Sequence, residues 1–229
     1  MRIAGFVKTA LSEWEGKNAC MILLPGCNFR CPYCNRSLID SDASADHAEA
    51  VDYIKTHRDF VDAVVVSGGE PTVHPELYAL LKDLKSLNLK IKIDTNGSMP
   101  DVLDDIVGAM LVDKVCINVM APLDDASYTA AAGVVVDAGA VRRSIDIVSR
   151  SGVACEFRTT AVPGIIGSDA MNRISESLPA GGSLIIQQFD PSAARDAEMR
   201  KTVPYPTQAL VRMAESSKRH VRNVRIRGA

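Results

Sequence analysis

The chain has 229 residues, of which 47% are hydrophobic, 24% charged and 5% aromatic, and its formal net charge is −2. Domains usually take about 100–200 residues and barrels run larger, so we expect one domain over residues 1–229 with a large buried core. The balanced composition excludes a disordered or fibrous chain. The near-neutral charge indicates neither a specific nucleic-acid partner nor a membrane partner.

Apolar runs that fit strands alternate along the chain with segments of helical spacing. The pattern predicts strands at 19–24, 62–67, 90–94, 114–119, 153–160 and 183–189. It predicts helices at 45–58, 74–87, 99–110, 137–151, 168–178 and 207–218, with a loop or an extra turn of helix in 120–137. Six β-then-α units imply an α/β fold with a parallel sheet and right-handed crossovers. A flat doubly wound sheet and a curved partial barrel both fit this pattern.

The two ends of the chain differ from this repeating pattern. Residues 1–18 form a short N-terminal extension, with Glu13 and Glu15 where a signal peptide would be apolar, so we expect a cytoplasmic location. No apolar stretch reaches the roughly 18 residues that a membrane-spanning helix needs. Residues 218–229 form a basic tail, which we expect to be a solvated face; a docking surface for an acidic partner is the alternative. Its basic residues are Lys218, Arg219, Arg222, Arg225 and Arg227.

Polar and glycine residues collect directly after the predicted strands. In parallel α/β folds the carboxyl ends of the strands meet at one edge, where binding sites are built. The sequence therefore predicts a site for a polar ligand at this edge. The residues concerned are Gly26, Cys27, Ser67–Glu70, Asp94–Gly97, Asn118, Arg158–Thr160, Gln187 and Gln188.

Six cysteines in a chain of this length do not indicate a secreted disulfide scaffold. Cys27, Cys31 and Cys34 follow a Cys-x3-Cys-x2-Cys spacing with no fourth cysteine nearby, whereas structural zinc sites usually have four ligands. Cys31 and Cys34 alone fit a redox pair, which leaves Cys27 unexplained. Three thiolates can bind three irons of a [4Fe–4S] cluster and leave one iron open. The other three cysteines are expected to be buried core thiols: Cys20, Cys116 and Cys155.

This cysteine spacing, with Tyr33 just before the last cysteine, resembles the motif of the radical S-adenosylmethionine (SAM) superfamily. The Ser-Gly-Gly-Glu-Pro segment at 67–71 resembles the GGE motif of the same superfamily. The resemblance covers nearly the entire chain and implies a partial (β/α)6 barrel that binds a [4Fe–4S] cluster and SAM. It also implies that one electron from the reduced cluster cleaves SAM to methionine and a 5′-deoxyadenosyl radical.

A narrower resemblance concerns the opening segment, residues 5–36. It is similar to the start of the activating enzymes of glycyl-radical enzymes, nearest to the anaerobic ribonucleoside-triphosphate reductase activating proteins. The segments 93–97 (IDTNG) and 187–189 (QQF) also resemble that group. The resemblance implies a protein substrate, a glycyl-radical enzyme from which an α-hydrogen of one glycine is removed. It further implies a flavodoxin or ferredoxin as the reductant.

The resemblance assigns roles to individual residues. The three motif cysteines would bind the irons. Gly68 and Gly69 would let the backbone approach the methionine part of SAM, and Glu70 would accept a hydrogen bond from its ammonium group. The other residues assigned to SAM are Tyr33 near the adenine, Asp94, Thr95 and Asn96 near the carboxylate or a monovalent cation, Arg158 as a two-point clamp on the carboxylate, and Gln188 facing the adenosine. A packed aromatic ring, an Asn-Gly turn and a surface ion pair are the alternatives for Tyr33, for 94–97 and for Arg158.

Two positions depart from the activating enzymes. Related proteins commonly show Asp-x-Lys where this chain has Asn118 and Met120, and many have His where it has Asn35. Asn118 can hydrogen-bond a ribose hydroxyl or an amino group, but Met120 cannot replace a lysine cation. Either SAM is held differently or the substrate differs. The alternatives are therefore a radical SAM enzyme acting on a metabolite, such as a deazapurine-forming ring-contraction enzyme, and a non-enzymatic iron–sulfur carrier or zinc-stabilised binding module.

Overall fold

The computed structural model describes residues 1–34, 45–192 and 194–228. Each predicted strand and helix has a counterpart at its expected place in the chain. The strands are β1 Arg2–Ile3, β2 Gly5–Val7, β3 Ala19–Leu24, β4 Ala45–Asp46, β5 Ala63–Gly68, β6 Lys90–Thr95, β7 Lys114–Asn118, β8 Ala154–Ala161, β9 Ser183–Gln188 and β10 Asn223–Arg227. The helices are α1 His47–Thr56, α2 Leu77–Ser86, α3 Pro100–Gly108, α4 Asp125–Ala132, α5 Ala138–Arg150, α6 Ser168–Glu176 and α7 Thr207–Ser217.

The main sheet has the strand order β10-β9-β8-β7-β6-β5-β3-β2. Neighbours from β3 to β10 pair in parallel, and β2 pairs antiparallel with β3 at one edge. The order follows the chain without reversing, whereas a doubly wound sheet reverses at a switch point. The predicted α/β fold with a partial barrel is thus confirmed, and the flat alternative is wrong. No helix in the described ranges is both long and apolar enough to cross a bilayer.

The C-terminal tail differs from the expected solvated face. Residues 223–227 form β10, which extends the parallel sheet beside β9. Arg225 pairs with Glu15, and Arg227 pairs with Glu13, so these two arginines connect the end of the chain to its beginning. The solvated-face prediction agrees with the exposure of Lys218, Arg219, Arg222 and Arg225, whereas Arg227 is half-buried and does not belong to a solvated face.

The two faces of the sheet differ in chemistry because side chains alternate along each strand. One face carries apolar residues such as Ile91, Ile93 and Phe157, which belong to the main core with the buried faces of the helices. The other, inner face is covered in part by the N-terminal segment. Trp14 of that segment packs against a small apolar cluster, and the carbonyl oxygen of Glu13 accepts a 2.7 Å hydrogen bond from Lys92 Nζ. The buried residues of the cluster are Ala19, Ala63 and Val65, and Met21 also packs against them.

Charged side chains from three strands meet on this inner face and form what we term the barrel ion network: Lys92, Asp94, Lys114, Glu156 and Arg158. Lys92 has no exposed side-chain area, and its Nζ lies 2.8 Å from Glu156 Oε1 and 3.3 Å from Asp94 Oδ1. Lys114 Nζ lies 2.6 Å from Glu156 Oε2, and Arg158 Nη2 lies 3.1 Å from Asp94 Oδ2. Buried charges are tolerated when paired in this way. Asp94 and Arg158 form the end of the network that lies nearest the carboxyl ends of the strands, and Lys114, the first residue of β7, lies at its opposite end.

Candidate functional site

A cavity of about 410 Å³ opens at the carboxyl ends of the strands, the edge at which the sequence predicts a site. Most of the residues assigned to the site line it, and two of them, Asp94 and Thr95, do not. The predicted residues at the cavity are Cys27, Cys31, Tyr33, Cys34, Gly68, Gly69, Glu70, Asn96, Asn118, Arg158 and Gln188. Its other lining residues are Phe29, Met120, Thr160, Gln187, Phe189, Asp190 and Arg227.

The cysteine loop is anchored on helix α4, which occupies the segment expected to be a loop or an extra turn. The backbone N–H of Arg30 donates a 2.8 Å hydrogen bond to the carbonyl oxygen of Ala132. The ring of Phe29 is buried and meets the ring of Tyr128 edge-on, with centroids 6.5 Å apart. This additional helix therefore serves as the platform that holds the motif cysteines at the cavity.

The three motif thiols face one cavity. Burial, together with the neighbouring thiols of Cys34 and Cys27, raises the pKa of Cys31 to about 12. No three His, Cys, Asp or Glu side chains within the described ranges surround a single metal ion. The donor set fits an iron–sulfur cluster, because each cysteine of such a cluster binds a different iron and the ligands are therefore spread more widely.

Two glycines join the GGE loop to the cysteine loop. Gly68 has φ +109°, and a Cβ on it would lie 2.5 Å from the backbone N and O of Leu24; a Cβ on Gly69 would lie 1.5 Å from the carbonyl oxygen of Gly26. The N–H of Gly69 donates to the Leu24 carbonyl at 2.8 Å, and the N–H of Glu70 donates to the Gly26 carbonyl at 2.9 Å. Only glycine fits at these two positions, because any side chain would collide with the backbone of Leu24 or Gly26. The predicted approach of SAM to the same backbone stays a prediction.

Glu70 connects the GGE loop to the loop that follows β6. Its side chain is 1% exposed. Oε1 accepts hydrogen bonds from Thr72 N at 3.1 Å, Thr72 Oγ1 at 2.6 Å and Thr95 Oγ1 at 2.6 Å, and Oε2 accepts one from Asn96 N at 2.6 Å. Burial raises the pKa of Glu70 above its ordinary value although these donors act to lower it. Oε2 is the oxygen better placed to accept from a ligand.

Asp94 and Thr95 lie below the cavity wall rather than in it. Asp94 is buried and pairs with Arg158 and Lys92 of the barrel ion network. Burial acts to raise the pKa of Asp94, but these two cations hold it below its ordinary value. The hydroxyl of Thr95 donates to Glu70 and accepts from the N–H of Gly97. These side chains position their neighbours, and the assignment of direct SAM contacts to them is not supported by their placement.

Arg158 reaches the cavity from the barrel ion network. Its Nη2 contacts Asp94, lies 3.8 Å from Glu13 Oε2, and its Nε is buried without a hydrogen-bond partner among the described residues. Burial acts to lower the pKa of Arg158, but the surrounding anionic groups raise it, so the group is a permanent cation. Both two-point arrangements of a guanidinium include Nη2, so a clamp on a carboxylate has to use the second N–H of Nη2 together with a neighbouring nitrogen.

The remaining predicted residues form the opposite walls. The hydroxyl of Tyr33 donates to Met120 Sδ at 3.3 Å. Met120, which stands where activating enzymes commonly have Lys, therefore contacts Tyr33, the residue predicted to lie near the adenine of SAM. Asn118 Nδ2 donates to the Thr95 carbonyl at 3.3 Å. Gln188 Nε2 donates to the Tyr205 carbonyl at 2.7 Å, so this amide supports the neighbouring loop as well as the cavity. Asn35 lies outside the described residues.

Two residues at or near the site, Arg227 and Asn28, were not predicted from the sequence. Arg227 lines the cavity but belonged to the expected tail, although the alternating NVRIR segment at 223–227 is itself a strand signal. Asn28 donates from Nδ2 to Ser98 Oγ at 2.7 Å and joins the cysteine loop to the 94–97 loop. Nothing in the sequence marks Asn28, because it fills a variable position of the cysteine motif.

Comparison with known proteins supports the same assignment of fold. The model of the radical SAM superfamily matches residues 21–173. The chain belongs to the radical SAM superfamily. Radical SAM enzymes use a [4Fe–4S] cluster and SAM, and the donor set at the cavity fits these cofactors. A crystal structure of Streptococcus suis SuiB bound to S-adenosylmethionine has the same fold, with a TM-score of 0.68 and 14% identity over 91% of this chain and 52% of that one.

Two curated relatives of this radical SAM protein are informative. A Methanocaldococcus jannaschii protein, whose name assigns it provisionally to the glycyl-radical enzyme activating enzymes, is 29% identical over 98% of this chain and 95% of its own length. The 7-carboxy-7-deazaguanine synthase of Hyperthermus butylicus is 33% identical over 92 residues, which span 38% of each chain. The first match extends over nearly both chains, and the second is confined to a part of each.

Proposed function

We propose that this radical SAM enzyme installs a glycyl radical on a partner enzyme such as an anaerobic ribonucleotide reductase. The observation that carries the proposal is the similarity to the Methanocaldococcus jannaschii protein over nearly the full length of both chains. The cavity supports it, because about 410 Å³ falls near the low end of the roughly 300–1,000 Å³ of small-molecule sites. We expect SAM to occupy a cavity of this size. The substrate, a loop of the partner protein, would then approach SAM from the open mouth of the cavity.

In this proposal Cys27, Cys31 and Cys34 hold the cluster. When bound, the reduced cluster supplies the electron for homolytic cleavage of SAM, and a flavodoxin or ferredoxin supplies that electron in turn. The chain's own residues bind SAM and orient it. Tyr33 and Met120 close one wall of the cavity, which limits water, and Glu70 Oε2 accepts from the SAM ammonium group.

Arg158 is proposed to bind the SAM carboxylate, and its replacement tests that role. We expect Arg158→Gln to weaken SAM binding about 10- to 100-fold, since a hydrogen bond to a charged group contributes about 1.5–3 kcal/mol. The measurement is the equilibrium Kd for SAM on cluster-loaded protein. Arg173→Gln is the control, because Arg173 pairs with Asp124 at the surface and is 59% exposed. An unchanged Kd in a folded Arg158→Gln protein would remove this residue from the site.

The test of the activation proposal uses the cluster-loaded, reduced protein with SAM and an anaerobic ribonucleotide reductase. We expect a glycyl radical signal in the electron paramagnetic resonance spectrum of the partner. Cys31→Ala abolishes the signal because one iron ligand is lost, whereas Cys155→Ala preserves it because that thiol lies on β8 away from the cavity. SAM cleavage without a radical on the partner contradicts the proposal.

A second candidate, action on a small metabolite, is favoured by two observations. The 92-residue match is to a 7-carboxy-7-deazaguanine synthase, and the chain carries Asn118 and Met120 where activating enzymes show Asp-x-Lys. In that case the rate of SAM cleavage would rise, and then saturate, as the concentration of a small-molecule substrate is increased in the absence of any partner protein. The two candidates are separated by comparing the product of the reaction with the partner protein present and absent.

A further inference from the structure

The sulfur of Cys27 accepts hydrogen bonds both from its own loop and from a loop that is distant along the chain. The backbone N–H of Phe29 donates to Cys27 Sγ at 3.3 Å, and Asn96 Nδ2 donates to the same sulfur at 3.8 Å. Asn96 follows β6, 69 positions further along the chain, and is 3% exposed. The second bond therefore comes from a different loop, and its donor is largely removed from water.

The orientation of the Asn96 side chain is fixed on three sides. Its Oδ1 accepts from the N–H of Ser98 at 2.9 Å, which determines which end of the amide faces Cys27. Its Nδ2 also donates to Asn28 Oδ1 at 2.9 Å, leaving the other N–H for the sulfur. The backbone N–H of Asn96 donates to Glu70 Oε2, which fixes the loop itself.

We propose that Asn96 sets the reduction potential of the cluster held by Cys27, as a positioning residue acting through that cysteine. Hydrogen bonds to the sulfurs are one of the determinants of an iron–sulfur potential. A donor stabilises negative charge on the sulfur, and the reduced cluster carries one more electron than the oxidised cluster. Asn96 therefore raises the potential and makes the cluster easier to reduce. The inference rests on the cofactor assignment in the proposed function.

Asn96→Ser tests this inference with a short side chain that can still accept from the N–H of Ser98 but cannot reach the sulfur. We expect the ratio of reduced to oxidised cluster to fall about tenfold at a given ambient potential, which is about 59 mV for a one-electron couple. The measurement is a redox titration followed by electron paramagnetic resonance, without SAM or partner. Iron content is determined first, because only cluster-loaded protein reports the potential.

Asn172→Ser is the matched control, since it makes the same change on α6, where Asn172 Oδ1 accepts from Ser216 Oγ at 2.8 Å and does not line the cavity. Equal shifts in the two variants, or no shift in Asn96→Ser, would overturn the inference. If Asn96→Ser does not bind iron, Ser98→Ala is used in its place. This variant removes the hydroxyl that accepts from Asn28, the partner of Asn96, and is expected to lower the reduction potential by a smaller amount. An unchanged potential in Ser98→Ala would then overturn the inference. A negative result leaves the activation proposal intact, because neither SAM nor the partner is present in the titration.

Discussion

Gly69→Ala is expected to abolish cluster binding and to lower the free energy of unfolding by about 3 kcal/mol or more. A Cβ at this position would lie 1.5 Å from the carbonyl oxygen of Gly26, the residue before the first motif cysteine. Overpacking usually costs about 1–3 kcal/mol and occasionally more, and here the obstructing atoms all belong to the backbone of Gly26, which cannot rotate away as a side chain can. The cysteine loop has to move away, and Cys27 moves with it.

Gly108→Ala provides the matched control for Gly69→Ala. Gly108 is the last residue of α3, and a Cβ there meets nothing within 4 Å. Alanine in a helix is preferred over glycine by roughly 0.5–1 kcal/mol, so this variant is expected to be at least as stable as the wild type. Urea denaturation gives the stability of both variants, and iron content gives cluster binding. A Gly69→Ala protein with the iron content of the wild type would contradict the prediction.

The fold was predictable from the sequence wherever the signal is local. Apolar periodicity within 10–15 residues identifies each strand and helix of the repeating units, and their alternation identifies the parallel sheet. The strand β10 was not predicted although its alternating residues are a strand signal, and the ion-pair partners of its arginines near the other end of the chain could not be predicted from any local pattern. Arg227 pairs with Glu13, 214 positions away, and no window along the sequence contains both residues.

The sequence was sufficient to predict the edge of the sheet at which the site lies and the cysteine motif that it contains. Strand ends and cysteine spacing identify the cavity, because parallel strands bring their carboxyl ends together. What could not be predicted is the direction of each side chain. Asp94 points into the barrel ion network because Lys92 and Arg158 lie on the same face of the sheet, and Arg158 belongs to a different strand, 64 positions away. Composition and spacing carry no information on that pairing.

Lys92→Met is expected to lower the free energy of unfolding by about 3–5 kcal/mol at neutral pH, since removing one partner leaves buried charge uncompensated. Lys92 lies within ion-pair distance of Asp94 and Glu156, each with a side chain 3% exposed. Lys90→Met is the matched control on the same strand. Lys90 is 59% exposed and pairs with Asp113 at 2.8 Å, so water screens this pair and a much smaller loss of stability is expected. Equal losses in the two variants would contradict the role of burial.

The pH dependence gives Lys92→Met a second, independent readout. Burial acts to raise the pKa values of Asp94 and Glu156, but nearby cations, Lys92 among them, hold both below their ordinary values. A carboxyl group with a lowered folded pKa stabilises the protein above its unfolded pKa, about 4, and this contribution is lost as the pH falls through the folded value. The stability gap between wild type and Lys92→Met is therefore expected to be constant from pH 8 to about 5 and to shrink below about 4. Urea denaturation at successive pH values measures the gap. A gap that stays constant down to pH 3 would mean that Lys92 stabilises the barrel by packing its methylene groups and not by charge.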